Sequence, residues 1–218
     1  MRVLVAGAHG KIARRFVRRL ASRGDSVVGV VRNPEHVEDL RADGAEPVVL
    51  DLEQTDADRL ARQLAGADAA VFAAGAGPGS GVERKETVDL GASALLADAC
   101  ERAGVRRFVQ VGAMGTTEPN PSDVGEVFGK YLDAKRASER DLAQRDLDWT
   151  ILRPGRLTED PPTGRVALAE SVQRAEITRG DVADVLVALV DEPASAGRAL
   201  EVVNGDVPVV DALRTALG

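Results

Sequence analysis

The feature that most constrains this chain is a glycine-containing turn that directly follows its first apolar segment. Residues 3–16 read VLVAGAHGKIARRF, so Gly7 and Gly10 separate a β-branched apolar run from a basic segment. A missing side chain at Gly7 permits a tight turn between a strand and a helix, and one at Gly10 lets the backbone approach a pyrophosphate at the helix N-terminus. Ala13 is small enough for close packing of the helix on the strand. The turn predicts a dinucleotide site, although its spacing departs from the common G-x-G-x-x-G and also suits a simple βα turn.

Apolar segments of two kinds alternate along the chain. Short β-branched runs predict strands near 2–6, 26–31, 46–50, 69–73, 107–112, 149–153 and 199–203. Apolar residues at helical spacing predict one helix beginning near Gly10, another over 88–103, and a third that contains Val182, Val185, Leu186 and Leu189. This alternation predicts an α/β fold of Rossmann type, a doubly wound and mostly parallel sheet with helices on both faces.

Length and composition favour one domain without a membrane-spanning segment. A chain of 218 residues with 44% hydrophobic content can bury a good core, so we expect a single domain over 1–218. Within it, we expect a small substrate-side portion at about 154–180. No apolar run approaches the roughly 20 residues of a membrane helix, and the apolar start at 1–8 is too short for a secretion signal. We therefore expect a cytoplasmic protein, and the lone Cys100 cannot form an internal disulfide.

Charge and aromatic content argue against nucleic acid as a partner. The formal net charge is −7, whereas phosphate backbones are bound by clustered Lys and Arg. An aromatic content of 3% leaves few side chains on which bases could stack. The two histidines and one cysteine show no metal-ligand spacing, so we predict no metal site. The expected partners are a nicotinamide cofactor and a small-molecule substrate.

Three irregular segments, 73–81, 115–123 and 153–164, each follow a predicted strand. Because ligands bind at the carboxyl ends of strands in an open parallel sheet, these loops and the glycine turn are predicted to converge on one edge. Further residues at this edge that we assign to the cofactor site are Ile12, Leu52, Ala73, Ala74 and Gly75.

The residue after the second predicted strand indicates which cofactor is bound. Arg32 stands where dinucleotide-binding folds often carry an acid for the ribose 2′-hydroxyl. A guanidinium holds a 2′-phosphate with paired hydrogen bonds, so we expect NADP(H) to be preferred over NAD(H). Lys11 either adds a second positive charge to this phosphate or is solvated, and His9 either contacts the cofactor or only lines the turn. Asp51 either meets the adenine amino group or caps the next helix, and His36 is interpreted as a solvated helix residue.

Tyr131 and Lys135 lie four residues apart in the segment FGKYLDAKRASERDL. On a helix this spacing places the phenol and the ammonium on one face. A free phenol has a pKa of about 10, and a nearby cation favours its ionised form. The pair therefore suits general acid–base catalysis on a carbonyl or an alcohol, and the alternative is a solvated helix face with a partly buried ring. Tyr131 is the only tyrosine of the chain and follows an irregular loop at the ligand edge, which favours the catalytic interpretation.

Four segments in this order, GAHGKIA, VVRNP, YLDAK and DWTILRPGRL, resemble the atypical short-chain dehydrogenase/reductase superfamily. The resemblance is to its compact NAD(P)H-binding members, which are related to NmrA-like proteins, and it covers essentially the whole chain. It implies that Gly7, Gly10 and Arg32 bind the cofactor. It also implies that Tyr131 is the proton donor or acceptor, that Lys135 holds the nicotinamide ribose, and that the sequence RPG, with Pro154 and Gly155, lies beside the nicotinamide.

The chain departs from this family pattern at the expected catalytic serine. Active members carry serine at the end of the fifth strand, whereas this chain has Gly112 and Ala113. Thr116 or Thr117 in the following loop is a candidate source of the missing hydroxyl. Asp89 stands where active members often have asparagine, and it is alternatively an ordinary helix acid. Only about 65 residues follow the sixth predicted strand, which disfavours sugar-nucleotide chemistry of the epimerase branch.

Two functions of different classes follow from these residues. The first is an NADP(H)-dependent oxidoreductase that transfers hydride to a small carbonyl or quinone-like acceptor, with Tyr131 donating the proton. A quinone or flavin acceptor needs little acid catalysis, which tolerates the missing serine. The second is a noncatalytic NADP(H)-binding redox sensor or regulatory protein, which the missing serine favours.

Overall fold

The computed structural model describes residues 1–75, 85–117 and 125–218. The strands in this part of the chain are β1 (Arg2–Ala6), β2 (Ser26–Val31), β3 (Glu46–Val49), β4 (Ala69–Phe72), β5 (Arg107–Val111), β6 (Asp148–Pro154), β7 (Arg156–Thr158), β8 (Arg165–Ala169), β9 (Glu176–Thr178), β10 (Arg198–Asn204) and β11 (Val207–Pro208). The α-helices are α1 (Lys11–Ser22), α2 (Val37–Ala42), α3 (Ala57–Gln63), α4 (Ala92–Ala103), α5 (Glu126–Ala143), α6 (Arg179–Val190) and α7 (Val209–Leu217). A π-helical segment, Lys85–Gly91, leads into α4, and 3₁₀ turns cover Pro34–His36 and Pro193–Ser195.

Within the described residues, the central sheet has nine strands in the order β11-β8-β10-β6-β5-β4-β1-β2-β3. Strands β3, β2, β1, β4, β5, β6 and β10 are parallel, and these are the seven strands that the sequence predicted. Beyond them, β8 pairs antiparallel with β10, and β11 pairs antiparallel with β8. The chain runs outward from β1 to β3 and then returns to β4 on the other side of β1. The edge between β1 and β4 is therefore the topological switch point, where doubly wound sheets bind ligands.

Helices cover both faces of the sheet, which confirms the predicted architecture. On one face, α1, α6 and α7 enclose an apolar core. On the other face, α3, α4 and α5 enclose a second core. Helix α1 directs Phe16, Val17 and Leu20 inward at helical spacing, so its basic residues lie on the opposite side. The two cores hold the helices against the sheet. Because seven strands are parallel, their carboxyl ends lie at a common edge of it.

The segment between β6 and α6 forms a small substructure beside this edge. Strands β7 and β9 pair in parallel as a separate two-stranded sheet. Asp181 in the first turn of α6 accepts hydrogen bonds from the backbone N–H groups of Thr163 and Gly164, at 3.0 and 2.7 Å. The hydroxyl of Thr178 caps the same helix by accepting from the N–H of Asp181 at 2.9 Å. This buried carboxylate thus ties the loop between β7 and β8 to the start of α6.

The structure differs from the sequence expectations at several boundaries. The helix predicted over 88–103 begins as the π-helical segment and becomes α-helical at Ala92, and short π-helical insertions often occur at functional sites. The predicted loop residues 76–81 and 118–123 lie outside the described residues. Within the described ranges, no helix is long and apolar enough to cross a membrane. The same residues contain no group of His, Cys, Asp and Glu side chains arranged to hold a metal ion.

Candidate functional site

A cavity of about 330 Å³ lies at the switch point between β1 and β4. Its walls come from the turn after β1, the ends of β2 and β3, the chain after β4, and the helical segment that leads into α4. The predicted cofactor-site residues that line it are Gly7, His9, Gly10, Arg32, Asp51, Leu52, Ala73, Ala74 and Gly75. Residues that line it without having been assigned to the site include Val30, Val31, Asn33, His36, Leu50, Glu53, Val88 and Ala92. A concave site with an apolar floor and a few polar groups is typical of cofactor binding.

The glycine turn brings the backbone of β1 against the chain that follows β4. Gly7 has a φ of +77°, a conformation that favours glycine, and a Cβ added to it would lie within 2.5 Å of Ala74 Cα. Gly10 precedes the first turn of α1 in an extended conformation, and neither a side-chain cap nor an acidic residue occupies that turn. No side chain of this turn therefore competes for the N–H groups at the start of α1, which fits a bound pyrophosphate.

Polar side chains form the rim of the cavity beyond β2 and β3. Arg32 is half-exposed, and its Nη1 lies 3.3 Å from Oε2 of Glu53. Glu53 Oε1 also accepts a hydrogen bond from Thr87 at 2.6 Å, which links the end of β3 to the π-helical segment. Asp51 lines the cavity and accepts from the N–H of Glu53 at 3.0 Å. The capping alternative for Asp51 is wrong, because Asp56 caps α3 by accepting from a backbone N–H of its first turn.

His9 and His36, the two histidines of the chain, stack face to face on the cavity wall. Their ring centroids are 3.5 Å apart and the rings are 7° from parallel. Nε2 of His9 lies 2.7 Å from Oδ2 of Asp39 on α2. Burial lowers the pKa of the His36 imidazole, and the neighbouring His9 lowers it further. His36 lies in a short 3₁₀ helix and is partly exposed, but its ring stacks on His9 and is not simply solvated as interpreted. The sequence signal that could have placed His36 at the cavity was its position four residues after Arg32.

Tyr131 and Lys135 share one face of α5, as their spacing predicted. The ammonium of Lys135 is buried at 4% side-chain exposure, and it donates to the carbonyl of Val111 at 3.0 Å. It also forms an ion pair with Oδ1 of Asp89 at 3.1 Å. Asp89 is fully buried in the π-helical segment, so the acid that replaces the usual asparagine is the partner of the lysine. The ordinary helix-acid alternative for Asp89 is wrong.

The surroundings of Tyr131 keep its hydroxyl protonated near neutral pH. Burial raises the pKa of the phenol, Lys135 opposes this rise, and Asp89 adds to it. For Lys135, burial opposes the charged form, but the ionised form of Tyr131 and the carboxylate of Asp89 more than offset that effect, so the pKa of the ammonium is raised. Near neutral pH the pair therefore consists of a neutral phenol beside a charged ammonium.

A comparison with known proteins identifies the family. The family described as NAD(P)H-binding matches residues 7–193. The chain belongs to this NAD(P)H-binding family. A relative in Bacillus subtilis, named uncharacterized sugar epimerase YhfK, is 35% identical over 215 residues, which cover 98% of this chain and 99% of the relative.

Solved structures support the same assignment. A putative NAD-dependent epimerase/dehydratase from Bacillus halodurans superimposes with a TM-score of 0.91, at 37% identity over 99% of both chains. The oxidoreductase ylbE from Lactococcus lactis has a TM-score of 0.87 at 27% identity and covers 100% of this chain and 97% of that chain. The predicted resemblance to compact atypical short-chain dehydrogenases/reductases is confirmed, and the family membership supports a nicotinamide cofactor.

In this NAD(P)H-binding chain, the space beside Gly112, where the family resemblance predicts a serine, is occupied by a carboxylate from α5. A Cβ added to Gly112 would overlap Oε1 of Glu139 on α5. Glu139 is buried at 5% side-chain exposure and pairs with Arg153 at 2.8 Å through its other oxygen. That second oxygen also accepts the Thr116 hydroxyl at 2.8 Å, and this hydroxyl lies within reach of the carbonyl of Ala113 as well. Thr116 is buried and already paired, so the structure does not support it as a replacement hydroxyl.

Besides Tyr131 and Lys135 on α5, four further residues assigned to the site from the sequence lie outside the cavity wall. Lys11 forms an ion pair with Glu159 at 2.7 Å, because the loop after β7 approaches the start of α1. Ile12 packs against the apolar core under α1. Pro154 is buried at the carboxyl end of β6. A Cβ on Gly155 would overlap the carbonyl of Ala175, so backbone packing by itself accounts for this glycine.

Proposed function

We propose that this protein is an NADP(H)-dependent oxidoreductase that transfers hydride to a small carbonyl or quinone-like acceptor. The observation that carries the proposal is the cavity at the switch point, with its glycine turn, the open N-terminus of α1 and Arg32 on the rim. When bound, NADPH supplies the hydride, and the residues of the chain supply binding, orientation and the proton.

The cofactor preference rests on Arg32. Its guanidinium is half-exposed at the cavity rim and can form paired hydrogen bonds with a 2′-phosphate. Glu53 is its partner, so binding of the phosphate exchanges a carboxylate for a more strongly charged group at the same guanidinium. Because the carboxylate of Glu53 competes with the phosphate for Arg32, it weakens the preference for NADP(H). It also keeps Arg32 oriented along the rim.

The proton chemistry rests on Tyr131. Its raised pKa keeps the phenol protonated, which suits donation to an oxygen that gains negative charge during reduction. Lys135 is anchored by Val111 and Asp89, so its charge is held in place where it acts on the phenol. In this role Tyr131 is the proton donor and Lys135 orients and stabilises it.

The acceptor class follows from what surrounds Tyr131. Gly112 and Ala113 offer no hydroxyl to a substrate oxygen, which favours an acceptor that needs little acid catalysis. Phe128 is 49% exposed, its ring centroid lies 5.8 Å from that of Tyr131, and Val127 beside it is 55% exposed. Exposed apolar side chains next to the candidate proton donor favour a flat, apolar acceptor such as a quinone.

The proposal is tested by incubating the purified protein with NADPH and a panel of aldehydes, ketones, quinones, flavins and nucleotide sugars. We expect acceptor-dependent oxidation of NADPH, greatest with quinone-like compounds. Tyr131→Phe is expected to slow carbonyl reduction by about 10²-fold or more and to leave NADPH affinity unchanged. Tight NADPH binding without turnover across the panel would contradict the enzyme and support the noncatalytic redox sensor, which Gly112 and Ala113 favour.

A further inference from the structure

The histidine stack lies on the same cavity wall as Arg32, where the adenosine end of the cofactor is proposed to bind. His36 follows Arg32 and Asn33 in the turn after β2, and His9 belongs to the glycine turn after β1. Two separate segments thus bring imidazole rings together beside the arginine proposed to read the 2′-phosphate. Imidazole is the side chain whose charge changes most readily near neutral pH.

The electrostatic surroundings allow the stack to gain one proton. Asp39 on α2 holds Nε2 of His9, and Arg14 on α1 pairs with the same carboxylate at 3.0 Å. Because the parallel rings are 3.5 Å apart, a positive charge on one imidazole disfavours a second positive charge on the other. The lowered pKa of His36 favours its neutral form at pH 7 in the absence of cofactor.

The remaining charged groups around His36 include both acidic and basic side chains. Glu35 lies beside it in the same turn, and Arg32 and Glu53 lie on the cavity wall that it shares. Among residues 1–75, 85–117 and 125–218, no side chain forms a hydrogen bond with the His36 imidazole. Its nitrogens are therefore available to a ligand in the cavity.

We propose that the His9–His36 stack is a second recognition element for the adenosine 2′-phosphate of NADP(H), and that it takes up one proton when this phosphate binds. The inference rests on the proposed function, because it concerns the same cofactor site. A phosphate monoester carries a charge of roughly −1.5 to −2 and accepts hydrogen bonds through three oxygens. Binding of the phosphate favours the charged form of His36 and so opposes the lowering of its pKa by burial. Preference for NADP(H) over NAD(H) then increases as the pH falls through the histidine range.

The direct test is calorimetric titration of the wild-type protein with NADPH and with NADH in two buffers of different ionisation enthalpy. We expect NADPH binding to take up about 0.5 to 1 proton near pH 7, and NADH binding to take up almost none. Between about pH 8 and pH 6.5, the Kd for NADPH should fall about fivefold while that for NADH stays constant. The lower limit stays above the second pKa of the phosphate, which is about 6.

Two substitutions at one position separate charge from stacking. His36→Phe keeps a ring over His9 without a titratable nitrogen, so NADPH affinity at about pH 6.5 should fall about fivefold and lose its pH dependence. His36→Lys should restore tight NADPH binding at every pH in the range, because its charge is permanent. NADH affinity is the folding control for both variants.

Three outcomes distinguish failure of this inference from failure of the proposed function. NADPH binding without proton uptake, with a preference that depends on Arg32 alone, would overturn the role of the stack and leave the oxidoreductase proposal intact. Equal affinities for NADPH and NADH would overturn both the recognition of the 2′-phosphate and this inference. Absence of binding to either cofactor would overturn the proposed function itself.

Discussion

The cavity beside β1 and the face of α5 that carries Tyr131 and Lys135, here called the tyrosine face, belong to one edge of the sheet. The two regions are nevertheless built in different ways. The cavity is shaped by backbone, with Gly7 against Ala74 and the open first turn of α1, and its polar side chains are half-buried or exposed. The tyrosine face is shaped by buried charge, with Lys135 paired to Asp89. The proposed dinucleotide binding therefore depends mainly on local chain geometry, whereas the proposed proton donation depends on contacts between residues distant in sequence.

The largest expected effect concerns the buried ion pair. Lys135→Met leaves the carboxylate of Asp89 buried without its cation, so the free energy of unfolding should fall by about 3 to 5 kcal/mol. Urea denaturation at neutral pH measures the change. The double variant Lys135→Met, Asp89→Leu removes both charges and should recover most of the lost stability. Equal losses in the single and double variants would contradict the importance of the pair.

A somewhat smaller effect is expected at the glycine turn. Gly7→Ala places a Cβ against Ala74 and forces an L-residue to a φ of +77°, so we expect a loss of about 2 to 4 kcal/mol, accompanied by loss of cofactor binding. Gly24→Ala is the matched control. It has a φ of +88° but nothing within 4 Å of the added Cβ, so only the conformational strain of about 1 to 2 kcal/mol applies. Similar losses in both variants would remove the packing argument.

Arg32 provides the next test, on cofactor choice. Arg32→Ala should weaken NADPH binding by about 10- to 100-fold, because a charge-assisted pair to the 2′-phosphate is lost. NADH binding should change by less than about threefold. Arg41→Ala on α2 is the control, since Arg41 pairs with Glu38 and lies outside the cavity wall. Equal effects of Arg32→Ala on both cofactors would contradict the assignment.

The smallest expected effect concerns the single cysteine. Cys100 is fully buried in α4, and burial raises the pKa of its thiol to about 12. A thiol reagent at mildly alkaline pH should leave the folded protein unlabelled and react after unfolding. Rapid labelling of the folded state would show that α4, which begins beside the cavity, opens more readily than its packing indicates.

Much of the cavity could be predicted from sequence because its residues follow strands whose apolar runs are clear. The ends of β1, β2 and β4 fix the positions of Gly7, Arg32 and Ala74 by local pattern alone. The stacking of His36 on His9 could not be predicted, because it depends on how the turn after β2 folds back toward β1.

The tyrosine face shows the same limit more strongly. The spacing of Tyr131 and Lys135 was visible, whereas the contact of Glu139 with Gly112 depends on how α5 packs against β5. The ion pair of Lys11 with Glu159 was not predicted, because the two residues are distant in sequence. Strand β8 was missed although its run RVALA is mostly apolar, because the run is only five residues long and lies within a segment interpreted as the substrate-side portion.

The most direct test of the account is calorimetric titration of the folded protein with NADPH and NADH. The account predicts binding of one dinucleotide per chain, tighter for NADPH, and abolished by Gly7→Ala. Failure of well-folded protein to bind either dinucleotide would contradict the claim that the cavity between β1 and β4 is a cofactor site.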